Sequence, residues 1–429
     1  SQKGSGEDYA LFQRGVIQGL QGSPETKIAT LQSLLQQFPN SNYADDAGFE
    51  IAYTYFLIGQ GDKSRNDLSG LIEKYPRSSY IPRALITIGL VYYDEKNDVQ
   101  ALETFKKVVT DYKSTDEAQQ AIKLIERIYV DGGNAGAFID YATTTSLGNY
   151  TQAEQDNIMF QAANSQYLRG NWEGAVAAVN AYFDKFPRAI QDKHAKFIRA
   201  ESYKNLGKYA PAIIDYEYIL NDWTSEYTEK ALISISNIYI KNKQYNEAIV
   251  HLKKLEIASE YKANYQFAIN NLMKAYAGIN VPEETLKYSK IIREYEKSSE
   301  QDKNLAMLYA GKAYLLNADT TQGRKALDSL ATKAKTVEAA EAKYLVAQIQ
   351  YKQKDYKASQ KTCFDLINNL PNYDYWVAKS FILLADNYVA LKDDFQAKST
   401  LQSIIENYEG DDDILPEAKQ KLENLNKSK

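Results

Sequence analysis

The chain holds two histidines and one cysteine, and these set the first limit on its chemistry. His194 stands at a helix start in "QDKHAKF", and His251 lies within "AIVHLKKL". Neither has a second histidine or a cysteine at metal-ligand spacing, so both read as surface or groove residues and no metal is expected. Cys363, in "SQKTCFDLI", falls among helix-packing positions, where a thiol is buried and inert rather than nucleophilic. One cysteine cannot make an internal disulfide, and the redox compartment stays open.

The remaining motifs are equally spare. "GVIQGLQG" and "DGGNAGAF" lack both the strand-then-helix context and the lysine of a phosphate loop. In "EGDDDILPE", residues 409–417, three aspartates follow one another. A calcium loop needs alternating ligands, a central glycine and a late glutamate, so this is a solvated boundary. No nucleophile–base pair is present. The chain reads as a non-enzyme, with no catalytic residues and no cofactor.

Charge narrows the partners. There are 51 basic and 56 acidic residues, intermixed, for a net charge of −5, which is not a nucleic-acid footprint. "ALITIGLVYY" is about half of the ~20 apolar residues that a membrane-spanning helix needs. The first residues, "SQKGSGEDYALF", contain no signal-peptide core, as would also hold for a mature secreted chain.

What the chain does have is a period. Gly89, Tyr92 and Ala101 set a spacing of small residue, aromatic and alanine, which recurs at Ala200/Tyr203/Ala212, Ser236/Tyr239/Ala248 and Ala385/Tyr388/Ala397. Looser copies fall at Ala52/Tyr55/Ser64, Met273/Tyr276/Thr285 and Gly311/Tyr314/Gly323, with Gly15, Ala163 and Ala347 marking three more. The step is 36 to 38 residues, except for one double step from 89 to 163. The missing anchor lies near 126, where Tyr129 keeps the aromatic slot and Phe138 stands in place of a small residue. That makes eleven units, one degenerate. Apolar residues at three- and four-residue steps predict two helices per unit, joined by turns such as "EKND", "NLGK" and "KNKQ". A lone pair cannot bury its apolar face, so the units must stack.

"FPNSNYADDA" and "KYPRSSYIPRA" punctuate the unit boundaries. Pro39 blocks continuation of one helix, and Ser41 or Asn42 is expected to cap the next. Asp45 and Asp46 then occupy a first turn, where the helix dipole favours negative charge, and Pro82 takes an early helical position.

With these residues the chain resembles the tetratricopeptide repeat (TPR) family over residues 8 to about 414. It departs from that family in its longer period and in keeping only Pro39, Pro76, Pro187 and Pro371 as closing prolines. The junctions, with a partial third in "KFPRAIQDKHA", look more narrowly like bacterial envelope TPR proteins. These include the lipoprotein of the outer-membrane β-barrel assembly machine and the periplasmic TPR partner of the Tol–Pal system. The resemblance implies an all-α, right-handed α-α superhelix of about eleven helix pairs. It also implies a non-catalytic scaffold that binds a protein or peptide on its concave face, in a periplasmic or outer-membrane-associated setting. A lipid anchor outside this chain would tie it peripherally to the outer membrane. A cytosolic adaptor or chaperone-type module is the alternative, and a glycan- or ligand-binding module a third reading.

In the TPR pattern the concave positions are Phe49, Tyr53 and Phe56; Ile86, Leu90 and Tyr93; Phe160, Asn164 and Tyr167; and Phe197, Glu201 and Lys204. Asn237, Lys274, Lys312, Tyr344 and Gln348 continue them, so the surface turns from aromatic to amide and lysine along the chain. The rival role for these aromatics is packing against the next first helix. A chaperone-type carboxylate clamp is disfavoured: Asn237 and Asn271 match, but Ile233, Leu305 and Tyr309 stand where its basic residues belong. The expected organisation is an N-terminal block of about three units at 1–114, a degenerate unit or hinge at 115–155, a block of about seven units at 156–414 and a capping helix at 415–429. The N-terminus begins mid-pattern, which implies further repeats before it.

Overall fold

A computed structural model describes residues 6–145, 147–221 and 225–427, and these form 23 helices without a strand. The chain divides into two compact units, Ser1–Asp215 and Tyr216–Lys429, with the division inside α12 (Tyr209–Leu220). The first unit opens with α1 (Glu7–Leu20), α2 (Pro24–Gln37), α3 (Ala44–Leu57), α4 (Gly61–Lys74), α5 (Ile81–Asp94) and α6 (Asp98–Asp111). It continues with α7 (Asp116–Asp131), α8 (Ala135–Thr143), α9 (Gln152–Leu168), α10 (Trp172–Lys185) and α11 (Asp192–Asn205). The second unit holds α13 (Thr228–Lys241), α14 (Tyr245–Ala258), α15 (Lys262–Gly278), α16 (Pro282–Glu294), α17 (Glu300–Leu316) and α18 (Thr320–Lys333). It ends with α19 (Val337–Lys352), α20 (Tyr356–Asn369), α21 (Asp374–Ala390), α22 (Asp394–Asn407) and α23 (Ile414–Lys427). The described helices thus make eleven hairpins and a final single helix.

Every hairpin turns in the same way. One residue in each connection has positive φ, between 56° and 76°, at positions 22, 59, 96, 133, 170, 207, 243, 280, 318, 354 and 392. The residue after it donates its N–H back to the carbonyl of the aromatic slot, as Asn97 does to Tyr92 and Gln244 to Tyr239, at 2.8 Å each. This six-to-one closure is the Schellman way of satisfying the last carbonyls of a helix. The next helix then starts at once, often with that same residue as cap: Asn97, Asn171, Asp319, Asp355 and Asp393 each accept from a backbone N–H three residues on.

The small anchors explain the close packing inside a hairpin. A Cβ on Gly89 would lie 2.4 Å from the Phe105 ring, and one on Gly15 or Gly311 would lie 2.6 Å from Leu31 or Leu327. The facing residue sixteen positions on is therefore large where the anchor is glycine. Where the anchor is Met273, the same register offers Ser289, and both are buried. Cys363 is the facing residue for Ala347; both are fully buried, and burial pushes the thiol up to about 12.

The degenerate unit is a hairpin with a shortened second helix, α8. Gly133 keeps its turn in register. Phe138 is fully buried beside the rings of Tyr129 and Tyr150. Glu126, at the anchor position, accepts a hydrogen bond from the Tyr150 hydroxyl at 3.1 Å, and burial raises its pKa.

The boundaries between hairpins correct one sequence expectation. α3 begins after Tyr43, whose side chain makes no capping bond, so neither Ser41 nor Asn42 is the cap. Ser41 instead accepts the Tyr43 N–H and donates to Asp8, and Ser78 accepts the Tyr80 N–H. The serine closes a local turn ahead of the helix, an alternative to capping open to a short hydroxyl side chain. Asp46 does lie in a first turn, and it also accepts from the Tyr80 hydroxyl of the next boundary at 2.9 Å. Pro82 is in the first turn of α5.

Within each unit, first helices pack on one another as well as on their hairpin partners: α3 on α5, α5 on α7, α7 on α9 and α9 on α11, then α13 on α15 and so to α23. Among the described residues of each unit, second helices make no comparable contact with each other. First helices are therefore the closely spaced inner layer of each unit, and second helices the splayed outer layer.

Candidate protein-binding surface

Three periodic positions on four of the first helices, and one or two on later ones, were expected to line the concave face, and the structure separates them. The position three residues before the anchor is interior. Phe49, Ile86 and Phe160 are 1%, 4% and 7% exposed, so these three do not present a binding surface. Phe49 lies between the rings of Tyr53, at 5.7 Å, and Tyr80, at 4.7 Å, with the Arg83 guanidinium 5.1 Å from its centre. Phe160 packs on Tyr182 and His194. The physical reason is the contact between successive first helices: this position points into it. Phe197 and Tyr344, in the same register, are half-buried. Burial pushes the Tyr344 hydroxyl up to about 12, and it accepts from the Gln348 amide at 2.9 Å while its ring lies 5.5 Å from Trp376.

The position after the anchor is the open one. Tyr53, Leu90, Asn164, Glu201, Lys312 and Gln348 are half-buried, and Asn237 and Lys274 are exposed. The third position, with Phe56, Tyr93, Tyr167 and Lys204, is half-buried and partly committed. The Tyr93 hydroxyl donates to Asp131 at 3.2 Å, and the ring of Tyr167 meets Trp172 edge-on at 5.7 Å. Lys204 pairs with Glu201.

In the second unit this open row borders cavities that open to solvent. One of about 550 Å³ lies between the end of α15, the turn after it and α17, lined among others by Lys274, Lys312, Tyr245, Tyr309, Val281 and Leu316. One repeat on, Gln348, Leu315, Thr320 and Lys352 line a smaller one of about 250 Å³. Lys312 is held by Glu341. Tyr245 and Tyr309 are contributions the sequence reading missed. The available signal was Gly278, in a slot where Leu20, Leu57, Leu168 and Leu316 stand elsewhere. A Cβ there would come 2.6 Å from the Tyr245 ring, so the glycine is what lets that ring lie against α15.

His251, expected at a surface or groove, is instead buried in its hairpin. His251 is 5% exposed, with Nε2 3.2 Å from Glu217 and its ring stacked 5.5 Å from Tyr239. Burial lowers its pKa, against the opposing pull of Glu217. Among the described residues no group of three or more His, Cys, Asp or Glu is placed to hold a metal ion, and no helix is long and apolar enough to cross a membrane.

The tetratricopeptide repeat family model matches residues 9–41, 46–78 and 379–410, which are the hairpins α1–α2, α3–α4 and α21–α22. The chain carries tetratricopeptide repeats. The other eight hairpins repeat the same turn at the TPR positions. Among solved structures, the C-terminal part of a TPR protein from Cytophaga hutchinsonii is 14% identical, covering 60% of this chain and 98% of that one with a TM-score of 0.44. A TPR protein from Parabacteroides merdae is 15% identical over 62% of this chain and 98% of that one, with a TM-score of 0.33. Yeast Tom70 is 11% identical over 98% and 96%, with a TM-score of 0.36. No curated protein matches the chain.

Proposed function

We propose that the chain is a non-catalytic scaffold that binds a protein partner along the inner layer of first helices, in a bacterial cell envelope. The observation that carries the binding surface is the cavity beside Lys274 and Lys312, on the row of positions that the interior does not consume. A stack of hairpins supplies such a row pre-formed, so binding costs little rearrangement. The envelope setting rests on the boundary sequences "FPNSNYADDA" and "KYPRSSYIPRA". Peripheral attachment to the outer membrane, through a lipid anchor outside this chain, belongs to the same proposal.

The test is affinity capture on the immobilised chain, with envelope and cytosolic extracts of the source cell kept separate and bound proteins identified by mass spectrometry. A chain carrying Tyr53→Ala and Phe56→Ala is run beside it. The expected result is an envelope protein whose recovery falls severalfold with the double variant. Cytosolic partners alone sink the envelope setting, and an undiminished envelope partner moves the binding surface off the start of the inner layer.

A further inference from the structure

The cavity at α15–α17 has a composition that says more than "protein partner". Two lysines line it and no carboxylate does. The amine of Lys312 is taken by Glu341 of α19. Lys274 is exposed and has no hydrogen-bond, ion-pair or ring partner among the described residues, so its charge is the one left uncompensated. Beside it the wall is apolar, made by Ile240, Val281, Pro282, Ala313 and Leu316, with the rings of Tyr245 and Tyr309. Leu316 is 56% exposed; Leu20, Leu57 and Leu168 of the same slot are exposed too, and here that apolar surface borders the cavity. An uncompensated ammonium beside an apolar wall is complemented by a carboxylate carried next to an apolar side chain.

We propose that this cavity takes a partner-protein segment in which an aspartate or glutamate side chain stands within two residues of an aliphatic or aromatic one. The carboxylate meets Lys274, and the apolar side chain covers Val281, Pro282 and Leu316. The proposal rests on the scaffold reading above and specifies the chemistry of its ligand. A single uncommitted amine suits a side-chain carboxylate in a segment that runs on past the cavity. A chain-terminal carboxylate has the same charge, and the experiment separates the two sources.

The experiment is selection of a displayed random heptapeptide library on the immobilised full chain, in two formats: heptapeptides embedded within a carrier, and heptapeptides ending in a free carboxylate. The same selections are made on Lys274→Glu and on Leu316→Asp, both at exposed positions, with circular dichroism melts as the folding control. The expected result is enrichment of an acidic residue within two places of an apolar one in the embedded format. That enrichment falls at least tenfold on Lys274→Glu, and the apolar preference is lost on Leu316→Asp. Enriched peptides without an acidic residue, or enrichment unchanged on Lys274→Glu, overturn the cavity proposal and leave the scaffold reading standing. Enrichment only with the free carboxylate overturns the side-chain assignment. No enriched peptide on any of the three chains counts against the scaffold reading as well.

Discussion

Gly89 and Phe105 show how much a single pair of positions decides. The glycine exists because the Phe105 ring occupies the volume a Cβ would need. Phe105 is 1% exposed, so the ring has nowhere to retreat. Gly89→Ala is therefore expected to cost ~1–3 kcal/mol through overpacking, despite the better helix propensity of alanine. Phe105→Leu in the same chain should recover much of that loss, since buried Ala52 and Ala385 have leucines, Leu68 and Leu401, at the facing position. A double-mutant cycle by urea denaturation reads the coupling, and additive losses would contradict the pairing. The same residue-level view explains what the sequence could and could not tell. The anchors, the period and the inert cysteine were legible because small residues and sulfur at fixed spacing have few other uses. The fate of Phe49, Ile86 and Phe160 was not. Whether an aromatic on a first helix faces a partner or the next helix depends on the rotation of that helix, and a mistake of about one residue moves it between the two.

At the level of the hairpin, α13–α14 carries the one strongly buried histidine. His251 lies against Tyr239, near Glu217 and Lys254, and burial depresses its pKa from the ordinary 6.5. Its neutral form is favoured in the folded hairpin, so the stability it contributes is fully present above about pH 6.5. That contribution is lost as the pH falls through the folded pKa, because the unfolded chain then binds the proton more readily. The expected outcome is a native melt that drops between pH 7 and pH 5, with a shallower drop in His251→Gln. Thermal denaturation of both chains across that range checks it, and equal slopes would mean that the histidine is not responsible. The hairpins were readable as helix pairs, but their boundaries were read less well. Ser41 looks like a helix cap in sequence and acts instead one turn earlier, because Tyr43 N–H is the donor within its reach.

For the whole molecule the governing fact is that, among the described residues of each unit, a helix packs mainly on near neighbours along the chain. Stability in such an array is close to a sum of hairpin terms and interface terms rather than one all-or-none quantity. Phe105→Ala, worth ~3–5 kcal/mol for a fully buried phenylalanine, is expected to speed amide exchange in α5, α6 and α7 while leaving α19 to α22 unchanged. Hydrogen-exchange mass spectrometry resolves this by peptide, and a uniform loss of protection across the chain would contradict it.

The turn described for every hairpin is closed by main-chain atoms alone. The acceptor is the carbonyl of the aromatic slot and not its ring, which is why Gln18, Gln166 and Gln350 can stand where tyrosine usually does. The positive-φ residue is a glycine in five of the first six turns and lysine, asparagine or alanine in the last five. Nothing in the architecture therefore dictates which side chains decorate the rim where the cavities open. A lineage built on this stack can exchange one partner for another by editing rim letters, with no need to invent a new skeleton.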